Sequence, residues 1–236
     1  LPTIWHGPKC QPFGMGQNDG SRHGAVKPPA PMTAAEFATT TGISRRQLER
    51  LIIHAELLAK WQRRINLVGR RSLADMWRRH FLDSAQLLPH LPGRPGTLLD
   101  LGSGAGFPGL VLAVIGGWDV HLVESNSRKC AFLNEVNRVT QAGAVIHNGR
   151  IENLEPFAAD VVTARACASL AKLLAYAEPF VAGRVKAPCF FYKGRKAEEE
   201  LTDTQKKWHI KVSKIESQSD PSGVILKVEG MARRDG

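Results

Sequence analysis

The sequence predicts an α/β fold, a mostly parallel seven-stranded sheet with helices on both faces and a helical extension ahead of it. Three observations carry this. From residue 97 onward, apolar segments of strand length alternate with helical ones, the rhythm of a parallel sheet. The stretch LLDLGSGAGFPGL (98–110) runs from an apolar strand through a glycine turn into a new apolar helix. Near the end, HIKVSKI and GVILKVE alternate in hydrophobicity around SQSDPSG, a closing β-hairpin.

Taken in order, residues 1–32 are rich in Gly and Pro without apolar periodicity. They read as disordered, or as translated sequence upstream of a start at Met32. The extension expected to be disordered is drawn to residue 43. Ser44 with Gln47 forms a capping box for a first helix, in which Leu48, Leu51, Ile52, Ala55, Leu58 and Ile65 recur at helical spacing. A second helical stretch is expected from Ser72 to Leu91, ended by Pro92, Gly93, Pro95 and Gly96. Residues 44–95 are therefore assigned to a basic helical substrate-binding segment, and 96–232 to the α/β domain. In that domain strands are expected at 97–101, 119–123, 144–147, 160–164 and 188–192. Helices are expected at 108–115, 126–140, 169–181 and 195–207.

Composition narrows the class. The chain has 236 residues and a formal net charge of +10, with four cysteines. Cys10, Cys130, Cys167 and Cys189 form no CxxC pair, which points to reduced thiols, no metal and a cytoplasmic setting. Apolar runs are too short to span a membrane, so no membrane partner is expected. Between Arg45 and Arg94 basic residues outnumber acidic ones eleven to four. Such a face suits a polyanion, because neutralising phosphates releases counterions.

The glycine turn limits the ligand. A dinucleotide fingerprint needs glycine at its sixth position, and counting from Gly102 that place holds Phe107. Asp100 with Gly102, Gly104 and Gly106 instead makes Asp-x-Gly-x-Gly-x-Gly, the pattern of S-adenosylmethionine (SAM) methyltransferases. A carboxylate beside the turn suits a ligand bearing an amine and a sulfonium rather than a pyrophosphate. Glu124, at the end of the second strand, is placed to accept hydrogen bonds from ribose hydroxyls.

The longer segments WQRRINLVG, RHFLDSAQLL, LLDLGSGAGFPGLVLA, HLVESNSRKCAFLNEV, RIENL, DVVTARA and FYKGRKAEEEL resemble the ribosomal small-subunit methyltransferase G family, also called glucose-inhibited division protein B, over about residues 44–231. Phe107-Pro108-Gly109 and Thr163-Ala164-Arg165-Ala166 are the most specific of these matches. Trp61-Gln62, Tyr192-Lys193-Gly194 and Val185-Lys186-Ala187-Pro188 depart from the usual pattern. The resemblance implies a class I SAM-dependent methyltransferase fold and methylation of N7 of a guanine in the decoding-region loop of 16S rRNA. The partner implied is 16S rRNA or an assembling small subunit; separately, a monomer is expected. It implies cofactor contacts at Gly102, Phe107, Ile151, Glu152 and Arg165.

Guanine N7 carries its own lone pair, so no nucleophile or acid/base pair is required and positioning dominates. Arg165, after the fourth strand, is the candidate for positioning cofactor or guanine. His80 is open between RNA contact and helix capping, and Asp83 and Ser84 read as organisers of that helix junction. Arg63, Arg64, Lys193 and Arg195 are candidate RNA contacts. Pro188-Cys189 has the dipeptide of a cysteine nucleophile but lies in an apolar strand, where buried cysteine is ordinary. A nicotinamide oxidoreductase and a non-catalytic RNA-binding protein on the same fold are the alternatives.

Overall fold

A computed structural model of the protein describes residues 30–165, 167–184 and 187–234. Residues 1–29, part of the Val185–Pro188 segment and Ala166 lie outside the described residues, and with them the expectation for the N-terminal stretch and Cys10.

Helix α1 (Ala34–Thr41) starts at Thr33, whose side chain and that of Glu36 cap each other's backbone, and it ends at Gly42. This corrects the expectation that disorder extends to residue 43. Phe37 of α1 is fully buried, and burying that ring anchors the helix. Helix α2 (Arg45–Trp61) has the expected Ser44–Gln47 box. It stops at Trp61 rather than continuing to Ile65, because the Gln62 side chain accepts the backbone N–H groups of Leu67 and Val68 and folds the chain into a loop.

The second expected helix is broken into pieces. They are α3 (Arg70–Leu73), a π-helical turn (Trp77–Leu82), α4 (Asp83–Ala85) and a 3₁₀ turn (Leu88–His90) with Pro89 inside it. The wide turn buries His80 and Phe81, and Asp83 follows directly, also buried. Such π-turns recur where a helix must aim side chains into a site.

The remaining elements follow the sequence closely. They are β1 (Thr97–Leu101), α5 (Gly109–Gly116), β2 (Asp119–Glu124), α6 (Ser127–Thr140), β3 (Val145–Asn148), β4 (Val161–Arg165), α7 (Leu170–Val181), β5 (Cys189–Lys193), α8 (Ala197–Gln205), β6 (Trp208–Glu216) and β7 (Val224–Arg233). The sheet order is β3-β2-β1-β4-β5-β7-β6. Strands β1 to β5 pair in parallel, and β7 is antiparallel to both β5 and β6.

Alternation along each strand sends neighbours to opposite cores. Leu98, Val120, Val161 and Phe190 pack with α2, α5 and α6 on one face. Leu99, Val123, Val162 and Phe191 pack with α7 on the other. Because β7 runs against β5, with Lys193 opposite Val224, the β6–β7 hairpin loop returns to the edge where the parallel strands end. Ligands enter parallel sheets at that edge.

Candidate functional site

The turn after β1 is built from two unlike glycines. Gly102 (φ 68°) and Gly104 (φ 58°) both have left-handed backbone. A Cβ at Gly102 would lie 2.6 Å from the Cys167 Cβ, so packing closes that position. A Cβ at Gly104 would meet nothing nearer than 3.8 Å, so that position opens onto space. Gly106 packs on Leu110, which a Cβ there would strike at 2.6 Å. Asp100, expected to face a ligand, is fully buried. It accepts the Thr163 hydroxyl at 2.9 Å and the Gly109 N–H at 3.3 Å, so it holds β1, β4 and the start of α5 together. Burial pushes its carboxyl up to about 6 despite those bonds.

Glu124 ties the turn to the ends of β2 and β3. Its carboxylate accepts the N–H of Gly104 at 3.0 Å and of Asn126 at 2.8 Å. Its backbone carbonyl accepts the Gly149 N–H at 3.0 Å. That bond brings the segment with Ile151 and Glu152 alongside, where the Tyr176 hydroxyl donates to Glu152 at 2.6 Å.

Phe107 is the hub on the other side of the turn. The rings of His54 and His80 stack on it at 4.9 and 5.0 Å, and the Arg165 guanidinium lies 5.1 Å from its centroid. His54 Nε2 donates to the Ala105 carbonyl, leaving a buried Nδ1 without a partner. Burial holds His54 neutral, with its pKa lowered to about 4.

Arg165 donates to Asp83 at 3.1 Å and to the Arg79 carbonyl at 3.2 Å. It also donates to His80 Nδ1 at 3.0 Å. Since arginine only donates, His80 Nδ1 is the acceptor and its Nε2–H points to the Ser72 hydroxyl at 3.0 Å. Burial, then the charges of Arg165 and Arg79, lower the His80 pKa to about 3. The Tyr192 hydroxyl donates to the Asp83 carbonyl, and Ser219 and Gln86 donate to the Asp83 carboxylate. Asp83 thus joins the helical extension to β4, β5 and the hairpin loop.

Part of this set lines one cleft of about 480 Å³, whereas Asp100, Gly106, Glu124, Ile151 and Glu152, also singled out by sequence, are not among its lining residues. It brings together Gly102, Gly104, Phe107, His80, Arg165 and Lys193 of the residues singled out by sequence. Its opposite wall, unforeseen from sequence, is the hairpin loop with Ser217, Ser219 and Asp220. His54, Lys129 and Arg79 also escaped the sequence reading of the site. The SQSDPSG turn was visible as a turn, but only the antiparallel placement of β7 carries it to the cleft.

Among the proposed RNA contacts, His80 and Lys193 differ from expectation, His80 being buried with both ring nitrogens bonded to Arg165 and Ser72; Lys193 is engaged likewise. Its ammonium is buried and bonds Glu200 and the Ala168 carbonyl, both at 2.8 Å. Arg195 is exposed on the next turn. Arg63 and Arg64 are exposed on the loop after α2, whose Leu67 and Val68 line the cleft mouth.

The thiols are poorly suited to attack. Burial raises Cys189 strongly, and desolvation followed by the Asp100 charge raises Cys167 to about 11. Among the described residues no group of three or more His, Cys, Asp or Glu could hold a metal, and no helix is long and apolar enough to cross a membrane.

Comparison with known proteins gives a consistent family. A family model described as rRNA small subunit methyltransferase G matches residues 47–223. A ribosomal RNA small subunit methyltransferase G of Paramagnetospirillum magneticum is 54% identical over 86% of this chain and 98% of its own length. The protein of that name from Rhodospirillum rubrum is 52% identical over 84% and 97%. Two solved structures share the fold. One is M. jannaschii TYW2 in complex with AdoMet (TM-score 0.51, 15% identity, 73% of this chain and 80% of that one). The other is a putative O-methyltransferase from Klebsiella pneumoniae (TM-score 0.51, 11% identity, 75% and 90%).

Proposed function

We propose that this chain, which belongs to the rRNA small subunit methyltransferase G family, is a SAM-dependent methyltransferase acting on N7 of a guanine in 16S rRNA. The observation that carries the reading is the turn at 102–106, where Gly104 alone of its three glycines leaves room for a ligand against the backbone. Open glycines also occur at structural turns of this chain, such as Gly42 and Gly117, but Gly104 opens onto the cleft.

The residues fit SAM. Gly104 would hold it at the turn, Glu124 at the ribose hydroxyls, and Ile151 and Glu152 beyond β3. Gly102, closed by Cys167, and Phe107, covered by His54 and His80, shape the wall beside it. Asp100 and Gly106 act by shaping the turn, since one is buried and the other packs on Leu110. The chemistry that SAM supplies when bound is an electrophilic methyl on a positively charged sulfur.

The chain's own contribution is positioning. No residue needs to take a proton from N7, in keeping with a cleft whose histidine, His80, is held neutral and hydrogen-bonded. Arg165, locked by Asp83 and stacked by Phe107, fixes the wall at the end of β4. The Tyr192 ring and the Asp220 carboxylate, both lining the cleft, would offset part of the positive charge that reaches the purine, since Phe107 and Asp83 are already taken by protein partners. The exposed Arg63, Arg64 and Arg195 would meet rRNA phosphates around the mouth.

The substrate is 16S rRNA, free or in an assembling subunit, met in the cytoplasm by a monomer. The test is a comparison of 16S rRNA from cells with and without the gene. Loss of one 7-methylguanosine without the gene supports the assignment, and an unchanged modification pattern refutes it.

A further inference from the structure

We propose that the Arg79–Asp220 ion pair reads the O6 and N1–H edge of the target guanine, an assignment that rests on the guanine reading above. Arg79 comes from the helical extension and Asp220 from the hairpin loop, and they meet at 2.9 Å across the cleft wall. Their side chains are 39% and 31% exposed, against 17% and 12% for the neighbouring Arg165–Asp83 pair. One pair is packed into the framework, and the other faces the space a substrate must occupy.

Valence gives the pair its meaning. Asp220 Oδ1 accepts the N–H and the hydroxyl of Ser222, each at 2.9 Å, while Oδ2 accepts from Arg79. Oδ2 therefore keeps a lone pair. Burial acts to raise the Asp220 carboxyl, but the bonds from Ser222 and Arg79 outweigh it and hold the group below the ordinary carboxylate range. It is an ionised acceptor at neutral pH. Arg79 reaches both Asp220 and the Ser219 carbonyl through Nη1, so among the described contacts its Nη2 and Nε donors stay unused. The pair thus sets a donor beside an acceptor.

Guanine presents the complement, an O6 acceptor next to an N1–H donor. Adenine presents the reverse order, an amino donor next to the N1 acceptor, and would meet two unfavourable contacts. The charge pattern agrees. Arg79, Arg165 and Lys193 are each paired with a carboxylate, so the cleft walls carry matched charges suited to a base edge rather than a purely cationic face. The half-buried Asp220 carboxylate would repel a phosphate there, and contact with base donors gives it a purpose. Asp83, the other cleft carboxylate, is already occupied by Arg165, Gln86 and Ser219.

The experiment measures kcat/KM for 16S rRNA, assembled with ribosomal proteins, in which the target guanine is replaced by ligation. Inosine keeps O6, N1–H and N7, whereas 2-aminopurine keeps N7 but lacks O6 and carries an acceptor at N1. The wild-type protein should use inosine about as well as guanine and disfavour 2-aminopurine by about 10- to 100-fold. In Asp220→Ala and Arg79→Ala that ratio should fall toward one with SAM affinity unchanged, and Arg79→Lys should restore part of it. Should Asp220→Ala melt early, Arg79→Ala carries the test alone, and Asp220→Asn, whose amide oxygen can still accept N1–H, should keep part of the ratio. A latch that merely ties the loop to the helix would lower transfer to every base alike. An unchanged ratio in the variants, or a wild-type ratio near one, overturns the assignment. Absence of any wild-type transfer to guanine overturns the underlying function instead, and is recognised by that difference.

Discussion

Arg165 and Asp83, 82 positions apart in sequence, form a largely buried ion pair at 3.1 Å that joins the helical extension to the end of β4. The partner of Arg165 in this structure is therefore the protein itself. Its guanidinium stacks on Phe107 and fixes His80, so the pair sets the shape of the cleft wall.

Breaking this pair from either side should be costly. Arg165→Ala or Asp83→Ala leaves one charge buried without its partner, and each should lower stability by about 3–5 kcal/mol. The double variant should lose less than the sum of the two, because no unpaired charge remains. Urea unfolding of the four proteins measures this, and strict additivity would contradict the coupling.

The glycine turn separates packing from binding. Gly104→Val places a branched side chain where a Cβ has open space, at a φ of 58° that L-residues disfavour by about 1–2 kcal/mol. The variant should still fold but bind SAM far more weakly. Gly102→Val should fail earlier, in folding, because its Cβ collides with Cys167. Calorimetric titration with SAM decides, and parental affinity in a folded Gly104→Val protein would remove the ligand from this turn.

Arg63→Ala with Arg64→Ala should weaken rRNA binding and reduce the slope of log affinity against log salt by about one for each phosphate left without its arginine. SAM affinity should stay constant. A salt slope equal to the parent's would assign the two exposed arginines to solvation.

The buried histidines make stability depend on pH. The unfolded chain protonates His54 near its ordinary 6.5, while the folded protein resists until about 4. Unfolding therefore takes up a proton in this window, and stability falls as pH drops from 6.5 toward 4. His80, held near 3, acts in the same direction over a wider range. Asp100 opposes them, because the folded carboxyl holds its proton up to about 6 and the unfolded one only to about 3.8. The histidines outnumber it. His54→Phe should show a stability loss between pH 6.5 and 4.5 that is about 2 kcal/mol smaller than the parent's. Denaturant midpoints across that range check it, and equal losses would place the charge elsewhere.

Much of this architecture is written in local pattern. The strands carry continuous apolar runs, Ser44 and Gln47 mark a helix start, and the glycines mark the turn, because each depends on neighbours in sequence. The breaks within 72–91 were not legible, since apolar spacing at Trp77, Phe81 and Ala85 fits a regular helix as well as a widened one. Nor was α1, which is short and depends on Phe37 reaching a core made elsewhere. The hairpin loop with Asp220, the stacking of His54 on Phe107 and the burial of Lys193 by Glu200 are long-range or tertiary facts. Motif spacing names the residues near a ligand, and only the packed structure says which of them face it. Asp100 and Arg165 illustrate this, being in the motif yet committed to protein partners.

The reaction itself is tested by incubating purified protein with methyl-labelled SAM and 16S rRNA or small subunits, then separating the labelled nucleosides. The wild-type protein should yield 7-methylguanosine alone. A Cys189→Ala variant should retain most activity, losing only what a small core cavity removes through stability. Label in a methylated cytosine, or a well-folded Cys189→Ala protein without activity, would contradict transfer to a base lone pair and establish a covalent cysteine route.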